Sequence, residues 1–274
     1  MYTEYQPSHL LVPYIDSYWE FKGNPDYGMR IHILPDGCTD FIFTLGEVAN
    51  AVEEGSLIMQ PYRSYFVGPM TKYSELVTYT ESIHMFGVRF LPCGLSCFTN
   101  LPLHEFVNSR VSTNEMKAVF DDTFIEKLGE QKHVTDRIRV VEEYLLAYLA
   151  RHYQPADSHV PMAVNMINHS KGKRSVRSLM DDVCLCQRHF ERKFKHYTGF
   201  TPKEYSRIVK FKNAVELLRT TTSANLLTTA VDAGYYDLAH FSKEIKSMSG
   251  NTPASFLSLT VPEETTLTYI EPQR

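Results

Sequence analysis

Apolar residues recur along this chain with two different periods, and the change from one to the other divides it. Between Tyr2 and Leu91 short aromatic and β-branched runs alternate with turn residues, as in half-buried strands. The runs are Asp16 to Phe21, Arg30 to Leu34, Asp40 to Leu45, Ser64 to Val67, Glu75 to Tyr79 and His84 to Phe90. They predict a small β-barrel or sandwich. The clearest hairpin is expected where Ile31–Leu34 meets Thr39–Phe43 through Pro35-Asp36-Gly37, because proline presets a turn and glycine admits positive φ. From about Pro102 the period becomes helical. Val134, Ile138, Val141, Leu145 and Leu149, with Tyr148 beside them, form one stripe on a helix ending near His152. That helix either closes the sheet domain or pairs with its copy in a dimer. Gln154–Ser158, short, polar and interrupted by proline, reads as a linker. The expected organisation is a domain over 1–153, the linker at 154–158, a helical domain over 159–258 and a tail over 259–274.

The helical part repeats itself at an offset of 51 residues. Phe190-Glu191-Arg192-Lys193-Phe194-Lys195, then Gly199, Thr201-Pro202 and Tyr205, returns as Phe241-Ser242-Lys243-Glu244-Ile245-Lys246, then Gly250, Thr252-Pro253 and Phe256. In the first copy Val176, Leu179, Met180, Val183 and Cys184 give a short helix one buried stripe. A tight turn through Leu185 follows, and Cys186 stands at the next N-cap, where serine would cap better. The second helix buries Phe190 and Phe194, which are therefore core residues. It leaves Gln187, Arg188, Glu191, Arg192 and Lys195 on its outer face. In the second copy Gly234 marks the turn, Phe241 and Ile245 face inward, and Leu238, Ala239, Ser242, Lys243 and Lys246 face outward. Pro202 to Arg219 reads as one long helix between the copies.

Charge sharpens this picture. The whole chain carries −4, yet Pro161–Ser258 has 15 lysines and arginines against 8 acids, a balance of +7, leaving −11 on the remainder. A basic module joined to an acidic one points to a polyanion as the partner of the helical part alone. A cationic outer face on the second helix of a tight pair suits the major groove, since arginine grips guanine bidentately and lysine neutralises phosphate.

On these residues the segment from His159 to Leu257 resembles the C-terminal DNA-binding domain of the AraC family. The resemblance is carried by Thr201-Pro202-Lys203-Glu204-Tyr205, Ala214 with Leu217-Leu218, Ala233-Gly234-Tyr235-Tyr236-Asp237 with His240-Phe241-Ser242-Lys243, and Gly250-Asn251-Thr252-Pro253. The chain departs from the family pattern at Lys210, Lys243, Ile245, Cys186 and Ala239. The sheet half, through Leu34-Pro35-Asp36-Gly37-Cys38-Thr39-Asp40, Val67-Gly68-Pro69 and Gly87-Val88-Arg89-Phe90-Leu91-Pro92, is similar to the cupin-like sensory domain of some of these regulators. The resemblance implies a two-domain α+β protein that binds promoter DNA, works with RNA polymerase, more often activates than represses, and is regulated through its N-terminal half. It leaves room for a small-molecule effector and a homodimer. An effector is expected inside the barrel, near Tyr18, Arg30, His32 and Phe41.

Other chemistry is thin. Cys184-x-Cys186 and Cys93-x-x-x-Cys97 lack the spacing of a zinc site. His32 and His84 lack the tight His-x-His of a metal-binding cupin, so no metal or cofactor is expected. Asp36/Asp40 and Asp121/Asp122 lie at a turn and near a helix start, where aspartate is ordinary. No nucleophile motif, phosphate loop or dinucleotide fingerprint occurs, so an enzyme is not expected. The remaining alternative is a cupin-type ligand-binding or metal-dependent enzyme fused to a DNA-binding module. Five scattered cysteines, no long apolar run and no signal peptide predict a cytoplasmic protein with no membrane partner.

Overall fold

A computed structural model describes residues 2–24, 29–46, 51–53, 59–78, 82–116, 119–120, 122–152, 159–183, 186–220, 226–258 and 268–271. The expected linker at 154–158, Asp121, Cys184, Leu185 and most of the expected tail lie outside these residues.

The first half forms β1 (Tyr2–Tyr5), β2 (Ile15–Gly23), β3 (Met29–Ile33), β4 (Thr39–Thr44), β5 (Ala51–Glu53), β6 (Ser64–Val67), β7 (Ser74–Thr78), β8 (Ile83–Phe90) and β9 (Arg110–Ser112). Two antiparallel sheets result, one in the order β1-β2-β8-β4-β6-β9. The other has the order β10-β3-β7-β5, where β10 (Thr268–Glu271) comes from the far end of the chain. The sheets are open, so of the two expected forms, barrel or sandwich, the layered one is observed and the closed barrel is not.

The four inner strands of the larger sheet, β2, β8, β4 and β6, bury side chains on both faces, and the period of two sorts them. Trp19, Phe21, Ile42, Tyr65, Val67 and Met85 meet Ile31 and Leu76 of the smaller sheet. The alternate positions Tyr18, Phe41, Phe43, Phe66, Phe86, Val88 and Phe90 pack with Phe120 and with two helices, α1 (Asp122–Gly129) and α2 (Val134–His152). Val141 and Leu145 of α2 are fully buried there, so this helix closes the sheet's outer face.

The expected hairpin at Pro35–Gly37 is not one. β3 pairs with β7 and β10, whereas β4 pairs with β6 and β8, so the segment between them crosses from one sheet to the other. The turn chemistry is as anticipated, with Gly37 at φ 87°. A turn residue fixes local direction but not which strand the chain joins next.

The helical region comprises α3 (His159–His169), α4 (Val176–Val183), α5 (Gln187–Thr198), α6 (Pro202–Thr220), α7 (Leu226–Asp232), α8 (Leu238–Ser249) and α9 (Pro253–Ser258). Its core gathers Leu179, Phe190, Phe194, Tyr205, Phe211, Leu218, Phe241 and Ile245. Leu34 and Cys93 of the sheet half belong to the same apolar cluster, so the two halves share a packed boundary.

Candidate nucleic-acid interface

The repeat persists at the level of single hydrogen bonds. Thr198 at the end of α5 donates its hydroxyl to the Phe194 carbonyl at 2.7 Å, and Ser249 at the end of α8 donates to that of Ile245 at the same distance. Gly199 and Gly250 follow at φ 83° and 77°, each donating its N–H to the carbonyl four residues back. Both are left-handed caps, a conformation that L side chains resist. Thr201 and Glu204 then form a reciprocal capping box at the start of α6, which holds this long helix against the end of α5.

The starts of the two second helices differ. Cys186 occupies the extended N-cap position before α5 but makes no side-chain cap. Its counterpart Asp237 accepts the His240 N–H at 2.7 Å. The cores beneath are equivalent, with Phe190 and Phe241 both at 0% exposure.

On α5, Gln187, Arg188, Arg192 and Lys195 are exposed and Glu191 is half-buried, accepting a hydrogen bond from the Gln187 amide at 2.8 Å. On α8, Leu238, Ala239, Lys243 and Lys246 are exposed and Ser242 is half-buried. Each set lies on one outer helix face, opposite the buried phenylalanine. The sheet half does not cover either face.

The four residues expected to hold an effector are not brought together. Tyr18 and Phe41 face α1 and α2 across a filled aromatic core in which Phe41 packs on Phe66, Phe90 and Phe120 at 5.1–5.9 Å. Arg30 and His32 lie on β3 in the other sheet. His32 stacks on Tyr73 at 5.8 Å and approaches Glu75 at 3.4 Å. Both faces of the larger sheet are buried, so alternation alone does not say which face is the interior.

Sequence reasoning missed a buried ion network in the sheet half and the contact beside it that joins the halves. Arg89 is buried among acids, with Asp40 at 3.2 Å and Asp36 at 3.7 Å, and Trp19 donates its indole N–H to Asp40 at 2.7 Å. Burial alone would favour a neutral guanidine, but the carboxylates of Asp40 and Asp36 hold Arg89 charged and raise its pKa. Asp36 in turn accepts the Cys38 N–H at 2.8 Å, which shapes the crossover segment. A Cβ on Gly37 would stand 2.7 Å from the Tyr205 ring of α6. The acidic and aromatic residue types were visible, but nothing in their spacing linked residue 37 to residue 205.

Among the described residues no group of three or more His, Cys, Asp or Glu is placed to hold a metal ion, and no helix is long and apolar enough to cross a membrane.

Residues 179–258 match a family described as "Helix-turn-helix domain", and residues 3–112 match a "Domain of unknown function (DUF6597)". No curated protein matches the sequence. Among solved structures, the chain is similar to ToxT from Vibrio cholerae strain SCE256 bound to an unsaturated fatty acid, at 12% identity over 88% of this chain and 95% of that one, TM-score 0.49. It is also similar to the xylose-binding transcription activator XylR, at 24% identity over 38% of this chain and 28% of that one, TM-score 0.35. A transcriptional regulator with an AraC-type DNA-binding domain from Chromobacterium violaceum aligns at 22% identity over 37% of this chain and 90% of that one, TM-score 0.35. The chain thus joins a helix-turn-helix domain of the AraC type in its C-terminal region to a domain of unknown function in its N-terminal half.

Proposed function

We propose that the protein binds promoter DNA sequence-specifically by laying α5 and α8 into successive major-groove segments, and that it acts there as an activator with RNA polymerase. In this reading residues 159–258 meet DNA, and residues 1–153 control occupancy. The observation that carries it is the pairing on α5 of an inner face locked by Phe190 and Phe194 with an exposed outer face of Arg188, Arg192 and Lys195. A rigid helix presenting arginine is what direct base readout requires. The outer face of α8 offers Lys243 and Lys246 with Leu238 and Ala239, so its part is mainly phosphate anchoring and apolar contact. The experiment is enrichment of duplexes from a random pool by the full chain, followed by titration at several salt concentrations. Enrichment of one motif, with affinity falling steeply as salt rises, is expected. Salt-independent binding, or no enriched motif, overturns the reading.

A further inference from the structure

Gly199 and Gly250 close the two second helices at homologous places in the repeat, and a single loop of the sheet half touches both. A Cβ on Gly199 would stand 2.6 Å from Pro69, and one on Gly250 would stand 2.8 Å from the Tyr73 ring. Tyr73 also donates its N–H to the Met248 carbonyl of α8 at 2.8 Å. The loop itself is pinned. Asn108, at φ 57°, donates its N–H to the Pro69 carbonyl and accepts the Thr71 N–H, both at 2.8 Å. Behind the loop, His32 on β3 backs the Tyr73 ring. The described contacts run to the capping ends of α5 and α8, and the outer faces stay open to solvent.

Two rigid units joined by one long helix still have a hinge at each end of that helix. A wedge that contacts both units removes much of this freedom, because packed interfaces resist continuous deformation. We propose that Pro69 and Tyr73 are positioning residues for DNA recognition: by seating both capping glycines they set the separation and angle of α5 and α8, and so the half-site spacing that the protein prefers. The proposal rests on the DNA-binding reading above. It assigns spacing preference to residues of the domain of unknown function.

The test uses the full chain and a duplex enriched from a random pool by the unaltered protein. From it a series is made with one or two base pairs inserted or one deleted between the half-sites, plus a duplex keeping only the half-site read by α5. The unaltered protein is expected to lose roughly tenfold or more in affinity on a one-base-pair insertion, since each added pair rotates and displaces one half-site. Tyr73→Ala is expected to bind the single half-site like the unaltered protein, to lose part of the advantage of the two-part duplex, and to tolerate altered spacing. Tyr73→Phe, which keeps the ring, should restore the unaltered spacing profile. Pro69→Ala provides an independent disturbance at the first unit. An unchanged spacing penalty in both Tyr73→Ala and Pro69→Ala overturns the proposal while leaving DNA binding intact. Loss of single-half-site binding in both variants also overturns it, by showing a general structural role. Failure of the unaltered protein to enrich any duplex overturns the DNA-binding reading, and the proposal with it.

Discussion

The guanidinium of Arg207 on α6 forks onto the carboxylate of Glu244 on α8, with three contacts between 2.9 and 3.1 Å. This pair ties the long connecting helix to the second helix-turn-helix unit. Arg207 is 47% exposed, which screens the attraction, while Glu244 at 16% is better shielded. A double-mutant cycle of Arg207→Ala and Glu244→Ala, followed by urea unfolding, should give a coupling of about 0.5–1 kcal/mol, the upper part of the range for surface pairs. A coupling indistinguishable from zero would show the fork to be energetically idle.

The unequal N-caps predict opposite effects at homologous positions. Asp237→Ala removes the acceptor of the His240 N–H and should cost about 1 kcal/mol. Cys186→Ser supplies an acceptor where none is used and should stabilise α5 by a few tenths to about 1 kcal/mol. Denaturation midpoints of both variants check this, and destabilisation by Cys186→Ser would contradict it.

His84 gives a pH dependence of definite sign. Burial holds its pKa below the ordinary 6.5, outweighing the hydrogen bond to Glu20 at 2.9 Å, while the nearby Arg137 and Lys22 push in the same direction as burial. As pH falls below 6.5 the unfolded chain therefore takes up a proton that the folded chain refuses, and stability declines until the folded pKa is passed. Thermal midpoints of the unaltered protein should fall more than those of His84→Gln between pH 7.5 and 5. A steeper fall in the variant would reverse the sign.

Arg192 on α5 and Lys243 on α8 occupy homologous places in the repeat but differ in chemistry. Arg192→Ala should cost about 1–3 kcal/mol on the enriched duplex and relax preference at one or two base pairs. Lys243→Ala should weaken specific and non-specific duplexes alike and lower the salt slope by about one unit. Titration against single-base-substituted duplexes separates these outcomes. Loss of base preference only in Lys243→Ala would make α8 the reader instead.

The helical half was legible because its information is local and duplicated. Phe190 and Phe241 announce inner faces by spacing alone, and α2 and α6 match their predicted stripes nearly end to end. The six predicted strands also lie where alternation put them. Pairing was not legible, because Pro35-Asp36-Gly37 specifies a turn and is silent about the sheet change that follows. Nor was the burial of Tyr18 and Phe41 against helices, since a strand covered on both sides shows no polar face to orient it. The contacts of Pro69 and Tyr73 with Gly199 and Gly250 join residues far apart in sequence through backbone shape and ring packing, which no motif spells out.

β10 gives the molecule a particular order of assembly. Thr268–Glu271 hydrogen-bonds along β3, so the edge of the smaller sheet gains its last neighbour from residues synthesised after the whole helix-turn-helix region. Until those residues leave the ribosome, Met29–Ile33 presents an unpaired edge, the kind of surface that recruits strands from other chains. Contacts this distant in sequence also form slowly, because a long loop must close before they hold. The nascent protein therefore passes through a vulnerable interval in which its reader units are already made while the sheet half still awaits its final strand.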